Sequence, residues 1–87
     1  MTHTLRIKLK YYQAIVSGRK TFEVRKDDRD FEVGDLIRFI VFDGISWIYE
    51  YETFRITYKL TAKEFPDGIK EGYCVLSIER AGEIKRV

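Results

Sequence analysis

The sequence predicts a mainly β, α+β fold: a small closed barrel of about five to six mostly antiparallel strands with one short early helix. Three observations predict it. Apolar and polar residues alternate in several short runs, one early segment has helical spacing instead, and Gly and Asp separate the runs. The 87 residues suffice for a single domain spanning 1–87 and are too few for two.

The first elements follow from the spacing of apolar residues. His3, Leu5 and Ile7 alternate with polar residues, which predicts a first strand over about residues 3–9. Apolar residues from Lys10 to Val16 then recur at helical spacing, and Tyr12 is expected to face the core. Ser17 and Gly18 stop this helix.

The next strand covers residues 21–25. Because side chains alternate between the faces of a strand, Thr21, Glu23 and Arg25 are expected on one face. Phe22 and Val24 are expected in the core on the other face.

Four segments complete the predicted fold. Residues 26–34 form a loop anchored by Phe31, and Leu36–Phe42 is an apolar strand that ends in an Asp43-Gly44 hairpin. Residues 45–60 are too long for one flat strand, so a bend or bulge is expected near residues 50–53. Residues 61–72 are a connection and 73–79 a last strand, while the tail over 80–87 pairs at an edge or frays. Beyond the bend, one face collects Phe54, Ile56, Tyr58 and Leu60.

Charge is distributed unevenly along the chain. The net charge is +2, but residues 1–29 carry eight Lys and Arg against three acids, which gives about +5 for that third. This concentration predicts an anionic partner. The chain has no apolar run long enough to span a membrane, so a cytoplasmic protein is expected. The sequence does not determine the oligomeric state, and a monomer is favoured. The 34% charged residues and the lack of Asn are typical of proteins from hot environments.

Metal and thiol chemistry are not predicted. His3 is the only histidine, Cys74 is the only cysteine, and the acids near residues 27–30 have no ligand spacing. We therefore expect no metal and no cofactor. Cys74 lies in an apolar run, where a cysteine behaves as a small buried hydrophobe.

The stretch Gly18 to Arg25 carries the strongest functional signal, because it follows the pattern G-x-K-x-x-E-x-R. Gly18 permits a bend that lets Lys20 reach Glu23. An arginine fork matches phosphate through two hydrogen bonds and a lysine adds a point charge, so the group suits a nucleotide. The alternative interpretation is a surface ion pair of little energetic value.

The pattern resembles the signature of ASCH domains, a branch of the PUA-like superfamily of small β-barrels. Three further blocks resemble short stand-alone ASCH proteins, and together the blocks cover nearly the whole chain: residues 28–31, 33–35 and 72–78. The resemblance implies a PUA-like barrel with the helix near one mouth. It also implies a cleft flanked by residues 18–30 that binds RNA or a nucleotide-like ligand. Its expected ligand-binding residues are Tyr11, Arg19, Lys20, Glu23, Arg25, Lys26 and Arg29.

Two other functions remain open from the sequence. Some ASCH relatives are hydrolases that deacylate a modified cytidine, and others are ribonucleases. In such an enzyme Lys20 and Glu23 would act with Thr21, and Glu64 or Glu71 would supply a later acid. The chain departs from the hydrolase pattern, because Glu23 stands where those relatives have a hydroxyl residue. A basic face that recognises an acidic protein is the third alternative.

Aromatic residues on the predicted hairpin have two interpretations. Trp47, Tyr49 and Tyr51 alternate along the chain, so their rings project from one side. They could stack unpaired bases or pack against the neighbouring strand. His3 is expected as a packed end residue that could also approach a base.

Overall fold

The computed structural model describes residues 1–83. Five strands form one mixed sheet, which is curled into a half-barrel and accompanied by one short helix. This confirms the predicted mainly β fold with an early helix. The elements are β1 Thr2–Lys8, α1 Leu9–Val16, β2 Phe22–Lys26, β3 Leu36–Phe42, β4 Trp47–Thr61 and β5 Tyr73–Glu83.

The sheet order is β1-β3-β4-β5-β2, so the first two strands of the chain lie at opposite edges of the sheet. β1 pairs with β3 in parallel, and the other three pairs are antiparallel. Curling of the sheet brings its two edge strands towards each other. No helix in the part of the chain that the structure describes is both long and apolar enough to cross a membrane.

The core lies on the concave side of the sheet, where alternate residues of each strand meet. Ile37, Phe39 and Val41 of the interior strand β3 are at most 1% exposed. The helix contributes Tyr12, as expected, and its ring lies 5.9 Å from that of Phe39. The buried cluster consists of Leu5, Ile7, Tyr12, Ile15, Phe31, Ile37, Phe39, Val41, Phe54, Ile56, Cys74, Leu76 and Ile78.

The predicted bend in the long fourth strand is confirmed. Arg38 pairs with Thr53 and Ile40 with Tyr49, so the register between β3 and β4 shifts across residues 50–52. A second irregularity between Ile56 and Tyr58 was not predicted. It reverses the alternation, so Tyr58 is exposed and does not share the buried face of Ile56.

The loop after β2 is anchored at the beginning of β1. Phe31 is buried there, as predicted, and its ring centroid lies 4.7 Å from that of His3. The Nε2 atom of His3 lies 2.8 Å from Oδ2 of Asp35, which also accepts the Glu32 N–H. His3 is therefore a packed end residue, as expected. In the predicted tail, residues 80–83 extend β5 along β4, whereas residues 84–87 lie outside the described residues.

Candidate functional site

The turn between α1 and β2 sets the position of Lys20. The backbone N–H groups of residues 17–20 donate to carbonyls of the last helical turn, which ends the helix. Gly18 has φ +81°, a conformation that other residues rarely adopt. The chain therefore turns sharply and returns the Lys20 ammonium to Glu23, which confirms the predicted contact.

Glu23 is the centre of this site, and its position reverses the predicted faces of β2. Glu23 is only 4% exposed, whereas Phe22 and Val24 are 45% and 57% exposed. The expectation that those two apolar residues point into the core is therefore wrong. Glu23 points inward because both of its oxygens have cationic partners: Oε1 accepts from Lys20 Nζ and Oε2 accepts from Arg25 Nε at 2.8 Å.

Arg25 also joins the two edges of the half-barrel. Its Nη2 donates to the Arg6 carbonyl of β1 at 2.7 Å. Further along the same edge, Arg29 Nη1 donates to the Thr4 carbonyl at 2.9 Å. Thr4 and Arg6 are two apart, so their carbonyls point the same way from the edge of β1. Side chains thus bridge the gap between β1 and the chain around β2.

A cleft of about 500 Å³ opens beside this bridge. Its lining includes five cationic residues and one acidic residue, Glu23, and both oxygens of the Glu23 carboxylate are already hydrogen-bonded. Within residues 1–83, neither Lys8 nor Lys26 forms an ion pair. The cleft therefore has a surplus of positive charge. It is lined by Arg6, Ile7, Lys8, Tyr11, Lys20, Phe22, Glu23, Val24, Arg25 and Lys26.

The structure brings together five of the predicted ligand-binding residues and leaves out two. Arg19 does not line the cleft, and its Nε donates to the hydroxyl of Ser17. Arg29 lies along the edge of β1, outside the cleft. The members of the predicted set that line the cleft are Tyr11, Lys20, Glu23, Arg25 and Lys26.

Two cationic residues of the cleft, Arg6 and Lys8, were missed. Both belong to β1, which lies far from β2 in the sheet order. The predicted curling of the sheet into a barrel was the available signal, because curling brings the first edge strand of a sheet towards the last.

The residues required for the hydrolase alternative do not meet in this cleft. Thr21 lines a different small cavity beside Gly18 and Arg80, and Lys20 lines that cavity as well as the cleft. Glu64 accepts from the Thr61 N–H and hydroxyl at 3.2 Å, and Glu71 lines a separate cavity of about 720 Å³. Within the described range, no group of three His, Cys, Asp or Glu is placed to hold a metal ion.

Comparison with known proteins identifies the family and the fold. The family described as a domain of unknown function, DUF3850, matches residues 2–78, so the chain belongs to that family. A solved structure, "Crystal structure of hypothetical protein PH0355", is similar, with a TM-score of 0.61 and 16% identity. The match covers 92% of this chain and 99% of that one. No curated protein matches.

Proposed function

We propose that this DUF3850 protein binds the phosphate groups of RNA or of a nucleotide-like ligand in the cleft between β1 and β2. One observation carries the proposal: five cationic residues line the cleft against a single acidic residue, Glu23, whose carboxylate is already neutralised. Surplus cations around a concave surface attract anions and strengthen each other's field. RNA and nucleotides combine such charge with bases that can stack.

The lining residues divide into complementary roles. Arg25 supplies a planar fork of donors, and Lys8 and Lys26 supply mobile point charges. Tyr11 is 43% exposed at the cleft, so its ring is available to stack on a base. Glu23 holds Lys20 and Arg25 in place. Each of its two carboxylate oxygens already accepts a hydrogen bond from one of these cations, so neither oxygen needs a donor from the ligand.

The intact motif from Gly18 to Arg25 supports the same proposal through its resemblance to ASCH domains. Four blocks of that resemblance lie in order along the chain. Neither the DUF3850 family nor the similar hypothetical protein has an activity attached to its name. The proposal therefore depends on the motif and on the charges of the cleft.

Hydrolysis of a modified nucleoside is the alternative that the same experiment tests. A general base needs a lone pair directed at the substrate. Lys20 Nζ instead donates to Glu23 and, at 2.6 Å, to the Phe22 carbonyl. We expect binding without turnover.

The test is a titration with short single-stranded and structured RNAs, free nucleotides and acetylcytidine, following both binding and product release. If three cations meet phosphates of a single strand, log affinity should fall with log salt at a slope of about −2, because each contact contributes about −0.7. Lys26→Ala should flatten the slope by about one contact. The matched control is Lys63→Ala, at a residue that lines the other cavity, and it should leave the slope unchanged. A salt-independent affinity, or no binding to any member of the panel, would contradict the proposal.

A further inference from the structure

The outer side of the β3–β4 hairpin carries a second surface, which we call the aromatic face and define as Arg6, Arg38, Phe42, Trp47 and Tyr49. Register places these residues on one side of the sheet, because Phe42 pairs with Trp47, and both Arg6 and Tyr49 pair with Ile40. Trp47 and Tyr49 remain 50% and 42% exposed.

Arginine side chains are interleaved with the rings of the aromatic face. The Arg6 guanidinium lies 5.2 Å from the centroid of Trp47, and that of Arg38 lies 4.1 Å from the centroid of Tyr49. Phe42 supports Trp47 from the neighbouring strand, with centroids 4.8 Å apart. The rings are therefore held in position while half of the Trp47 surface stays open, and the face as defined carries two cations and no carboxylate.

The aromatic face is continuous with the cleft. Arg6 belongs to both, since it lines the cleft and its guanidinium stands over Trp47. Lys8 of the cleft pairs with Phe42, which pairs with Trp47. Two strand spacings, about 10 Å, thus separate the backbone at Lys8 from that at Trp47. Neighbouring nucleotides of one strand can span that distance.

We propose that a single strand of RNA held in the cleft continues across the aromatic face and stacks bases on Trp47 and Tyr49. This inference rests on the function proposed for the cleft. Exposed rings separated by arginines form the kind of platform on which successive unpaired bases stack with little sequence preference. Charge favours this occupant over an apolar protein segment, because a phosphate chain would pair with Arg6 and Arg38.

Trp47 is the only tryptophan in the chain, so intrinsic tryptophan fluorescence reports directly on this face. The intact protein is titrated with AMP and with single-stranded RNA of about eight nucleotides. We expect the oligonucleotide, but not AMP, to quench the fluorescence. Trp47→Ala should weaken oligonucleotide binding by about fivefold or more and leave AMP binding unchanged.

Two variants serve as controls. Trp47→Phe keeps a ring and should retain most of the affinity. Tyr58→Ala removes another exposed ring of β4, beyond its second irregularity, and should bind like the wild type. Quenching in the wild type tests the inference even if Trp47→Ala folds poorly.

Other outcomes separate this inference from the proposed function. Oligonucleotide binding could be weakened by Lys26→Ala, yet neither quench the Trp47 fluorescence nor weaken in Trp47→Ala. That result would overturn the inference and leave the cleft proposal standing. Absence of binding to any oligonucleotide or to AMP would overturn both. Self-association of the wild type that shields Trp47 from acrylamide would assign the face to a second copy and overturn the inference.

Discussion

Arg25 is expected to contribute more to folding than a surface arginine does, because its side chain joins the two edges of the half-barrel. The test is Arg25→Ala, which removes the 2.8 Å hydrogen bond to Glu23 and the 2.7 Å hydrogen bond to the Arg6 carbonyl. Glu23 would keep only Lys20 as a partner in a site where its side chain is 6% exposed. One buried oxygen of the carboxylate would lose its donor.

The expected loss follows from these contacts. A hydrogen bond to a charged group contributes about 1.5 to 3 kcal/mol, and breaking a fully buried ion pair costs about 3 to 5 kcal/mol. Arg25 is 23% exposed and Lys20 remains beside Glu23, so the cost of breaking this ion pair is well below that of a fully buried pair. We expect the free energy of unfolding to fall by about 2 to 4 kcal/mol. For a chain of this size, that lowers the melting temperature by about 10 to 30 °C.

Urea denaturation at low salt, followed by circular dichroism, measures this loss. Arg29→Ala is the matched control, since Arg29 also donates to a carbonyl of β1 but is 49% exposed. Its expected cost is below about 1 kcal/mol. Arg25→Lys keeps the charge without the fork and should fall between the two. A cost for Arg25→Ala no larger than that of Arg29→Ala would refute the reasoning and make Arg25 a surface ion pair.

Three other predictions concern single residues. Lys20→Arg should keep RNA affinity to within about 1 kcal/mol, because arginine retains the positive charge beside Glu23. Release of acetate from acetylcytidine that disappears in this variant would instead identify an enzyme. The hydrogen bond from His3 lowers the pKa of Asp35, with help from the Glu32 N–H and against the effect of burial. The ionised Asp35 carboxylate therefore stabilises the fold above the ordinary carboxyl pKa of about 3.9, and this stabilisation is lost as the pH falls below that value. Asp35→Asn should therefore lose less stability than the wild type between pH 5 and 3 in urea titrations, and equal losses would contradict this. Burial raises the pKa of the Cys74 thiol, so a thiol reagent at pH 8 should label it only when the chain unfolds; fast labelling without denaturant would show that β5 opens locally.

Periodicity in the sequence predicted the strands and helix that bury apolar residues against one core. The alternation of β1 and the continuous apolar run of β3 predicted those two strands, and the helical spacing before Gly18 predicted α1 to within one residue at its start. These elements depend on local pattern alone. The bend in β4 was also predictable, because a strand of 15 residues exceeds what a curled sheet accepts without irregularity.

The same rule failed at β2, where the apolar residues face outward. The alternation rule placed Phe22 and Val24 on the core side of β2, because apolar side chains are more stable when buried. Burying these two side chains would stabilise the fold by a few kcal/mol at most. Glu23 overrides this preference because it gains two cationic partners, and one of them, Lys20, lies in the preceding turn rather than in the strand. A cation–π contact partly offsets the exposure of Phe22, because the Lys20 ammonium lies 4.9 Å from its ring centroid.

Which residues line the cleft depends on contacts between parts of the chain that are distant in sequence. Arg25 bonds to a carbonyl 19 positions earlier, across two edges that meet only when the sheet curls. No local pattern marks Arg6 or Lys8 as neighbours of the motif. The motif alone therefore predicted the central residues of the site, and the curvature of the sheet determined which other cations join them.

The geometry of Arg25 would allow one side chain to serve both the fold and the ligand proposed for the cleft. A guanidinium has five N–H donors, and the contacts to Glu23 and the Arg6 carbonyl use two of them. Three donors remain on a fork already held at two points, so a phosphate can bind without the cost of ordering that side chain. Lys20 has only three donors and uses two, on Glu23 and the Phe22 carbonyl. Phosphate recognition should therefore depend mainly on Arg25 and the unpaired lysines, with Lys20 serving chiefly to hold Glu23 inward.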